Sequence, residues 1–281
     1  MAVAATALRK TYMNRQLNAH SNAGSQPGAE GPGGNLPAVL LVGGLGTRLQ
    51  SVVPGMPKPL APVGKKSFLH LLVRQLQSQG IRDLVMCTGY LSDQIEKELG
   101  DGRDWGVAIR YSKELQPLGT GGAVKLAERY LPADSDFLVM NGDSFLELDF
   151  RQFLRFHREH RGLMSMAVRG VSDAARYGTV QLDTFHRVVD FHEKTGAQAA
   201  GIVNGGVYVF DRAVLRHIPD GPASLEKDVF PRLLAEGIYG FEQHGLFIDI
   251  GTPEDYARAQ ELCDSLNLAA LREPPREHPD R

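Results

Sequence analysis

The stretch Pro37-Ala38-Val39-Leu40-Leu41-Val42-Gly43-Gly44-Leu45-Gly46-Thr47-Arg48-Leu49 decides the fold. Ala38 to Val42 is a short apolar run with no polar alternation, and it stops at glycines. That is the signature of a strand buried on both faces, as in a parallel sheet. The pattern recurs downstream. Phe68, Leu69, Leu71, Leu72 and Leu76 return with helical spacing, and Gly80 can stop that helix. Leu84 to Cys87 reads as a second buried strand, Ser92 as the cap of a helix to Leu99, Val107 to Tyr111 as a third strand, 121–130 as a helix, and Phe137 to Met140 as a fourth buried strand. Strand alternating with helix predicts an α/β fold with a doubly wound, mostly parallel mixed sheet covered on both faces.

The second half reads as more mixed. Phe150, Phe153, Leu154 and His157 mark a helix, and Leu163 to Val168 a strand. Thr179 to Leu182 and Val188 to Phe191 suggest a hairpin, followed by a strand from Gly205 to Phe210. Thr252 can cap a helix with Pro253 in its first position and Asp255 three residues past the cap. No repeat follows Asp249, so a single domain without a C-terminal β-helix is expected. Residues 1–36, dominated by Asn, Ala, Ser, Gly and Pro from Asn18 onward, read as a flexible extension. The folded domain is expected over 37–268, with a polar tail over 269–281.

The 281 residues carry 42% hydrophobic and 23% charged side chains and a formal net charge of −2. No global basic field exists to hold nucleic acid. No run approaches the roughly 18 apolar residues that cross a bilayer, so no membrane association is expected. The positive charge of Arg9-Lys10 follows the N-terminal apolar run, the reverse of a secretory signal. Two cysteines outside any CxxC pair fit a reducing compartment, and Cys87 reads as a buried core thiol. The expected location is cytoplasmic.

Glycines after the first strand let backbone N–H groups approach phosphate oxygens with no Cβ in the way. Taken alone they are equally consistent with a tight turn that binds nothing. Two familiar nucleotide loops fail on the letters. A dinucleotide fingerprint lacks its third glycine at Leu49, and no acid appears between Gly46 and Asp83. A P-loop fails at Gly64-Lys65-Lys66, which has lysine where Ser or Thr belongs and Pro59 where the first glycine should be. Arg48 within the loop, and Lys58 held between Pro57 and Pro59, instead suggest a polyphosphate clamp. Asp143 and Asp249 each follow an apolar strand, where an open α/β sheet gathers its ligands. Either could be a turn former, and the pair could hold Mg2+ together with substrate phosphates.

The run GGLGTRLQSVVPGMPKPLAPV from Gly43 to Val63 resembles the signature of the sugar-1-phosphate nucleotidylyltransferases, G-G-x-G-T-R-L followed by P-K-P. With NGDSF, SLEKDVFP and FIDIGTPEDY the resemblance covers roughly 38–265. It implies Mg2+-dependent joining of an NTP to a sugar 1-phosphate, with pyrophosphate released. It further implies that Gly43, Gly44, Gly46, Thr47 and Arg48 cradle the triphosphate, that Lys58 contacts phosphates near the reacting centre, and that Asp143 and Asp249 bind the metal. Glu193, Lys194, Asn204, Gly205 and Glu226 would serve the sugar phosphate.

Pro117-Leu118-Gly119-Thr120-Gly121-Gly122-Ala123 places glycines before a helix, where backbone groups can meet a base edge. Its form resembles the guanylyl-transferring branch, which implies GTP, and a manno-heptose 1-phosphate acceptor is expected first. Mannose 1-phosphate with GTP and N-acetylmuramate 1-phosphate with UTP are the alternatives. A catalytically silent regulatory or binding subunit is the competing class, disfavoured by the presence of Arg48, Lys58, Asp143 and Asp249. A nicotinamide oxidoreductase is disfavoured by the failed fingerprint. A homo-oligomer is left open.

Overall fold

The computed structural model describes residues 36–271 except Leu45, 175–176 and 193–198. Of the expected extension 1–36 all but Leu36, and of the expected tail 272–281, lie outside the described residues.

Parallel pairing begins with β1 (Ala38–Leu41), which lies between β4 (Asp83–Thr88) and β6 (Phe137–Asn141). Beyond β4 lies β5 (Ala108–Lys113), also parallel. On the far side of β6 the sheet turns antiparallel through β11 (Gly201–Phe210), which continues to β9 (Thr179–Leu182) and β10 (Val188–His192). β11 also pairs with β8 (Met164–Val171), and β12 (Ile238–Gln243) adds parallel to β8. Nine strands of the described residues thus form one mixed sheet. Two short ribbons stand apart: β2 (Pro62–Val63) with β3 (Lys66–Ser67), and β7 (Ser144–Leu146) with β13 (Phe247–Asp249).

The apolar runs behave as their lack of alternation requires. Ala38, Leu40, Leu84, Met86, Leu138 and Met140 face one core, and Val39, Val85, Cys87, Phe137 and Val139 face a second. The first core is covered by helices α1 (Phe68–Ser78), α2 (Ser92–Leu99) and α4 (Phe150–His160) through Leu72, Ile95 and Phe153. The second is covered by α3 (Gly119–Ala127) through Val124, and by the turns Leu225–Val229 and Phe230–Leu233. α5 (Pro253–Glu261) begins at Thr252, whose hydroxyl accepts from the Asp255 N–H at 3.2 Å and donates to its carboxylate at 2.9 Å. α6 (Cys263–Ala270) packs Leu266 and Ala270 into the first core, so ordered structure runs past the expected boundary at 268.

Three local expectations change. Ser92 opens α2 but does not cap it; Leu91, in a left-handed conformation, is the residue before the helix, and the Ser92 hydroxyl turns to Asp93. The helix expected at 121–130 starts two residues earlier and tightens at Glu128–Tyr130. The strand expected from Gly205 starts at Gly201 and carries a register shift between Asn204 and Tyr208.

β4 and β5 follow β1 on one side, and β6 returns to the other. The carboxyl ends of β1 and β6 therefore border a topological switch point, where open α/β sheets bind ligands. Gly142 fastens these two ends. Its N–H donates to Leu41 O at 3.0 Å, and a Cβ there would meet that oxygen at 2.7 Å and Val42 Cγ1 at 2.6 Å. Gly142→Ala must push the two strand ends apart, and overpacking of this kind costs about 1–3 kcal/mol. Urea denaturation should report that loss; a change within about 0.5 kcal/mol would show that the ends can part freely.

Candidate active site

The glycine loop meets the Lys58 segment at one point. Gly46 adopts φ +59°, and a Cβ on it would lie 2.9 Å from Lys58 Cβ. Lys58 begins a short helical turn, Lys58–Leu60, whose first proline neighbour fixes the approach and whose carbonyl accepts from Ala61 N–H at 3.0 Å. This directs the ammonium into the crevice, where Lys58 Nζ donates to Asp143 Oδ2 at 2.6 Å.

Asp249 reaches the same place from the far end of the chain. In the β7–β13 ribbon Asp249 pairs with Ser144, and Ile250 N–H donates to the Asp143 carbonyl at 2.9 Å. The Ser144 hydroxyl lies 3.0 Å from Asp249 Oδ2 and 3.3 Å from Asp143 Oδ1, so its one proton sits between two carboxylates. The Gly251 N–H donates to the other Asp249 oxygen. Burial foremost, and then the Asp143 charge, raise the Asp249 pKa above the ordinary aspartate value. The Lys58 ammonium and the Gly251 and Ser144 donors pull it back only in part. The centre is a pair of like charges with a single lysine to balance them.

Two cavities open from this centre, and Asp143 borders both. The smaller, about 210 Å3, is lined by Gly44, Gly46, Thr47, Arg48, Lys58 and Gly251. The larger, about 530 Å3, is lined by Gly43, Gly44, Gly89, Tyr90, Glu114, Gly119 and Thr120 among others. One carries basic side chains beside a glycine cradle, and the other carries glycines, an aromatic ring and apolar edges.

The start of α3 is tied to the turn at 223–226. Gly119 has φ +69°, and a Cβ on it would lie 2.6 Å from Ala223 O. Gly121 and Gly122 N–H groups donate to that carbonyl at 2.8 and 3.2 Å. The Gly121 N–H is therefore already engaged, and Pro117, Gly119, Thr120 and Ala123 are the members of this motif that line the larger cavity. Thr120 Oγ1 accepts from Leu225 N–H at 2.8 Å and donates to Glu226 Oε2 at 3.1 Å, which also accepts from Ser224 Oγ at 2.9 Å. Ser224 caps the turn, accepting from Lys227 N–H.

The expected sugar-side residues divide. Glu226 stands beside Thr120, as above. Asn204 shapes the irregularity in β11: its Oδ1 accepts from Gly206 N–H at 2.9 Å, and its amide donates to Tyr208 Oη at 2.7 Å. Gly205 packs on Leu146 and the Ala167 carbonyl. Neither Asn204 nor Gly205 lines the two cavities just described. Glu193 and Lys194 lie outside the described residues. Two participants were missed by sequence reasoning. Ser144 stood in the NGDSF motif, where its small hydroxyl beside an aspartate was the available signal. Glu114, four residues before Leu118, had no local signal at all.

Removing the lysine should expose the charge imbalance. Lys58→Met leaves Asp143 and Asp249 facing each other, at a cost of about 1–3 kcal/mol for the lost charged hydrogen bond. Without the cation the Asp249 pKa rises further. A raised carboxylate pKa penalises the fold above that pKa, and the penalty fades as the pH falls and the group protonates. Urea unfolding in EDTA should therefore show a larger deficit at pH 7 than at pH 4.5. An equal deficit at both would show that Lys58 does not balance this pair.

Comparison with known proteins agrees with this geometry. A family model described as nucleotidyl transferase matches residues 37–265. The chain is 39% identical over 226 residues to D-glycero-alpha-D-manno-heptose 1-phosphate guanylyltransferase of Aneurinibacillus thermoaerophilus, covering 80% of this chain and 96% of that protein. It is 40% identical over 225 residues to mannose-1-phosphate guanylyltransferase of Mycobacterium tuberculosis, covering 79% of this chain but 62% of that protein. The crystal structure of HddC from Yersinia pseudotuberculosis complexed with GMP-PN superposes with a TM-score of 0.73 at 35% identity, over 80% of this chain and 98% of that one. A glycine loop at the switch point, a lysine and two aspartates drawn together beyond it, and a match through the whole sheet give one conclusion: the chain belongs to the nucleotidyl transferase family.

Proposed function

We propose that this protein transfers GMP from GTP to a sugar 1-phosphate, foremost D-glycero-α-D-manno-heptose 1-phosphate, giving a GDP-sugar and pyrophosphate. The observation that carries the reading is the convergence of Lys58, Asp143 and Asp249 between a basic cavity and a larger, apolar-edged one. The relatives' names support the guanylyl and heptose choices. Mannose 1-phosphate is the second reading, favoured by the comparable identity to the mycobacterial enzyme.

The oxygen-only donor set suits a hard divalent cation, and a carboxylate pair short of positive charge has reason to bind one. Asp143 and Asp249 would hold Mg2+, which when bound would neutralise charge on phosphate oxygens. Gly44, Gly46 and Thr47 line the smaller cavity, where the triphosphate would lie, and Arg48 can bind its outer phosphates in bidentate fashion. Lys58 would exchange Asp143 for a phosphate oxygen at the reacting centre. The base would occupy the larger cavity, against Gly119 and Thr120. Glu226, and Glu193, Lys194, Asn204 and Gly205 from the sugar side, would orient the acceptor.

The attacking group is a phosphate oxygen of the sugar 1-phosphate, already ionised at neutral pH. A new O–Pα bond forms, the bond from Pα to the bridging oxygen breaks, and pyrophosphate leaves with that electron pair. No proton need be removed, so positioning and charge stabilisation carry the rate. We place the reaction in the cytoplasm, where nucleoside triphosphates are made; no helix among the described residues is long and apolar enough to cross a membrane.

Pyrophosphate release, with five NTPs crossed against heptose, mannose, glucose and N-acetylmuramate 1-phosphates, tests the reading. Release with GTP and the heptose is expected, and release with another pair would replace the substrates. Silence across the grid would favour a regulatory subunit. Lys58→Ala and Asp249→Ala should each lower turnover at least about 100-fold, since each removes charge stabilisation of ~3 kcal/mol. Near wild-type rates in either would remove that residue from the site.

A further inference from the structure

Ser144 stands beside both aspartates and has no part in the chemistry derived above. The four oxygens of the carboxylate pair are not served alike. Two have donors of their own: Lys58 Nζ reaches Asp143 Oδ2 at 2.6 Å, and the Gly251 N–H reaches Asp249 Oδ1. A Cβ on Gly251 would lie 2.5 Å from that Asp249 oxygen, so the approach depends on the glycine. The remaining two, Asp143 Oδ1 and Asp249 Oδ2, have one donor between them among the described residues. It is the buried Ser144 hydroxyl, at 3.3 and 3.0 Å.

The fold does not need this hydroxyl. Backbone pairing of β7 with β13, and the Ile250 N–H on the Asp143 carbonyl at 2.9 Å, set the register. Phe145, Leu146, Phe247 and Ile248 carry the packing of the ribbon into the first core. What the hydroxyl adds is restraint. Residues opposite each other in an antiparallel pair place their side chains together, so Ser144 lies against Asp249, and Asp143 is its chain neighbour. The Asp143 side chain is 36% exposed, so repulsion from Asp249 can turn it out toward water. A hydroxyl that donates to either carboxylate opposes that turn and keeps the two oxygens facing one point.

We infer that Ser144 is the positioning residue of the cation site: its hydroxyl sets Asp143 Oδ1 and Asp249 Oδ2 at a spacing one divalent cation can take, and so fixes the affinity for that cation. The inference rests on the reading of Asp143 and Asp249 as the Mg2+ ligands. Groups that orient metal ligands without touching the metal typically change its affinity 10–100-fold when removed. Ser144 meets that description through two ligands at once, which a backbone donor such as the Gly251 N–H does not.

Mn2+ binding to the full chain, without nucleotide and followed by electron paramagnetic resonance, tests this apart from turnover. Ser144→Ala should bind Mn2+ at least about tenfold more weakly than wild type. Ser144→Thr and Ser144→Val have nearly the same shape and differ in the hydroxyl. Thr should stay within about threefold of wild type, and Val should fall with Ala. In pyrophosphate release the half-saturating Mg2+ concentration of Ser144→Ala should rise by a similar factor, with turnover at saturating Mg2+ within about threefold of wild type. A residue that only held the ribbon would lower the urea midpoint in EDTA and leave Mn2+ affinity as in wild type, which would overturn the inference. Equal Mn2+ affinity of the Thr and Val variants would overturn it even if Ser144→Ala did not fold. Wild-type affinity in Asp249→Ala would remove the cation from this pair and the inference with it, while GMP transfer would still stand or fall on pyrophosphate release.

Discussion

Like charges repel, and this fold holds Asp143 and Asp249 close enough to share the Ser144 hydroxyl. Everything around the pair serves that constraint. The β7–β13 ribbon sets the register, with Asp249 opposite Ser144. Gly142 pins the end of β6 to the end of β1. The turn carrying Lys58 brings in the cation that balances the pair, and Gly46 leaves room for that lysine's stem. An arrangement raised in energy by its own charges persists only when packed elements on several sides hold it. Here those elements rest on two hydrophobic cores, one on each face of the sheet.

The same constraint explains the division of labour between the two cavities. Asp143 borders both, so whatever lies across it is held with one end among Arg48, Lys58 and the glycine loop and the other among Gly89, Tyr90 and Glu114. A nucleoside triphosphate has this polarity: an anionic tail, and a flat ring with a hydrogen-bonding edge. The positive charge is concentrated at one end. At the other end the charge is a carboxylate, which suits a donor edge and would repel a phosphate.

The strands and helices were legible because their periods are local. The apolar runs at Ala38–Leu41 and Phe137–Met140 carry no alternation, since both of their faces are covered, and α1 carries its helical spacing in five apolar residues. The caps were less so. Ser92 has the chemistry of a cap, but Leu91 takes the left-handed conformation before the helix, so a local preference yielded to the path the chain must follow. The extra length of β11 was hidden because Gly201 to Asn204 is held by pairing with β8, not by its own propensity.

By itself the sequence determined the strand–loop–helix order, the glycine loop with Arg48, the proline-flanked Lys58 and two aspartates at strand ends, because each is a short pattern whose physics is complete within a few residues. The tertiary structure alone decided three further points. It brought Asp249 to Asp143, since that contact depends on a ribbon between segments far apart in the chain. It engaged the Gly121 N–H with Ala223, turning a motif that reads as a binding loop partly into a structural clasp. It also set Glu114 over Gly43 and Gly89, because three strand ends meet only once β1, β4 and β5 lie side by side. A carboxylate's role depends on which donors and charges surround it, and those neighbours come from elsewhere in the chain.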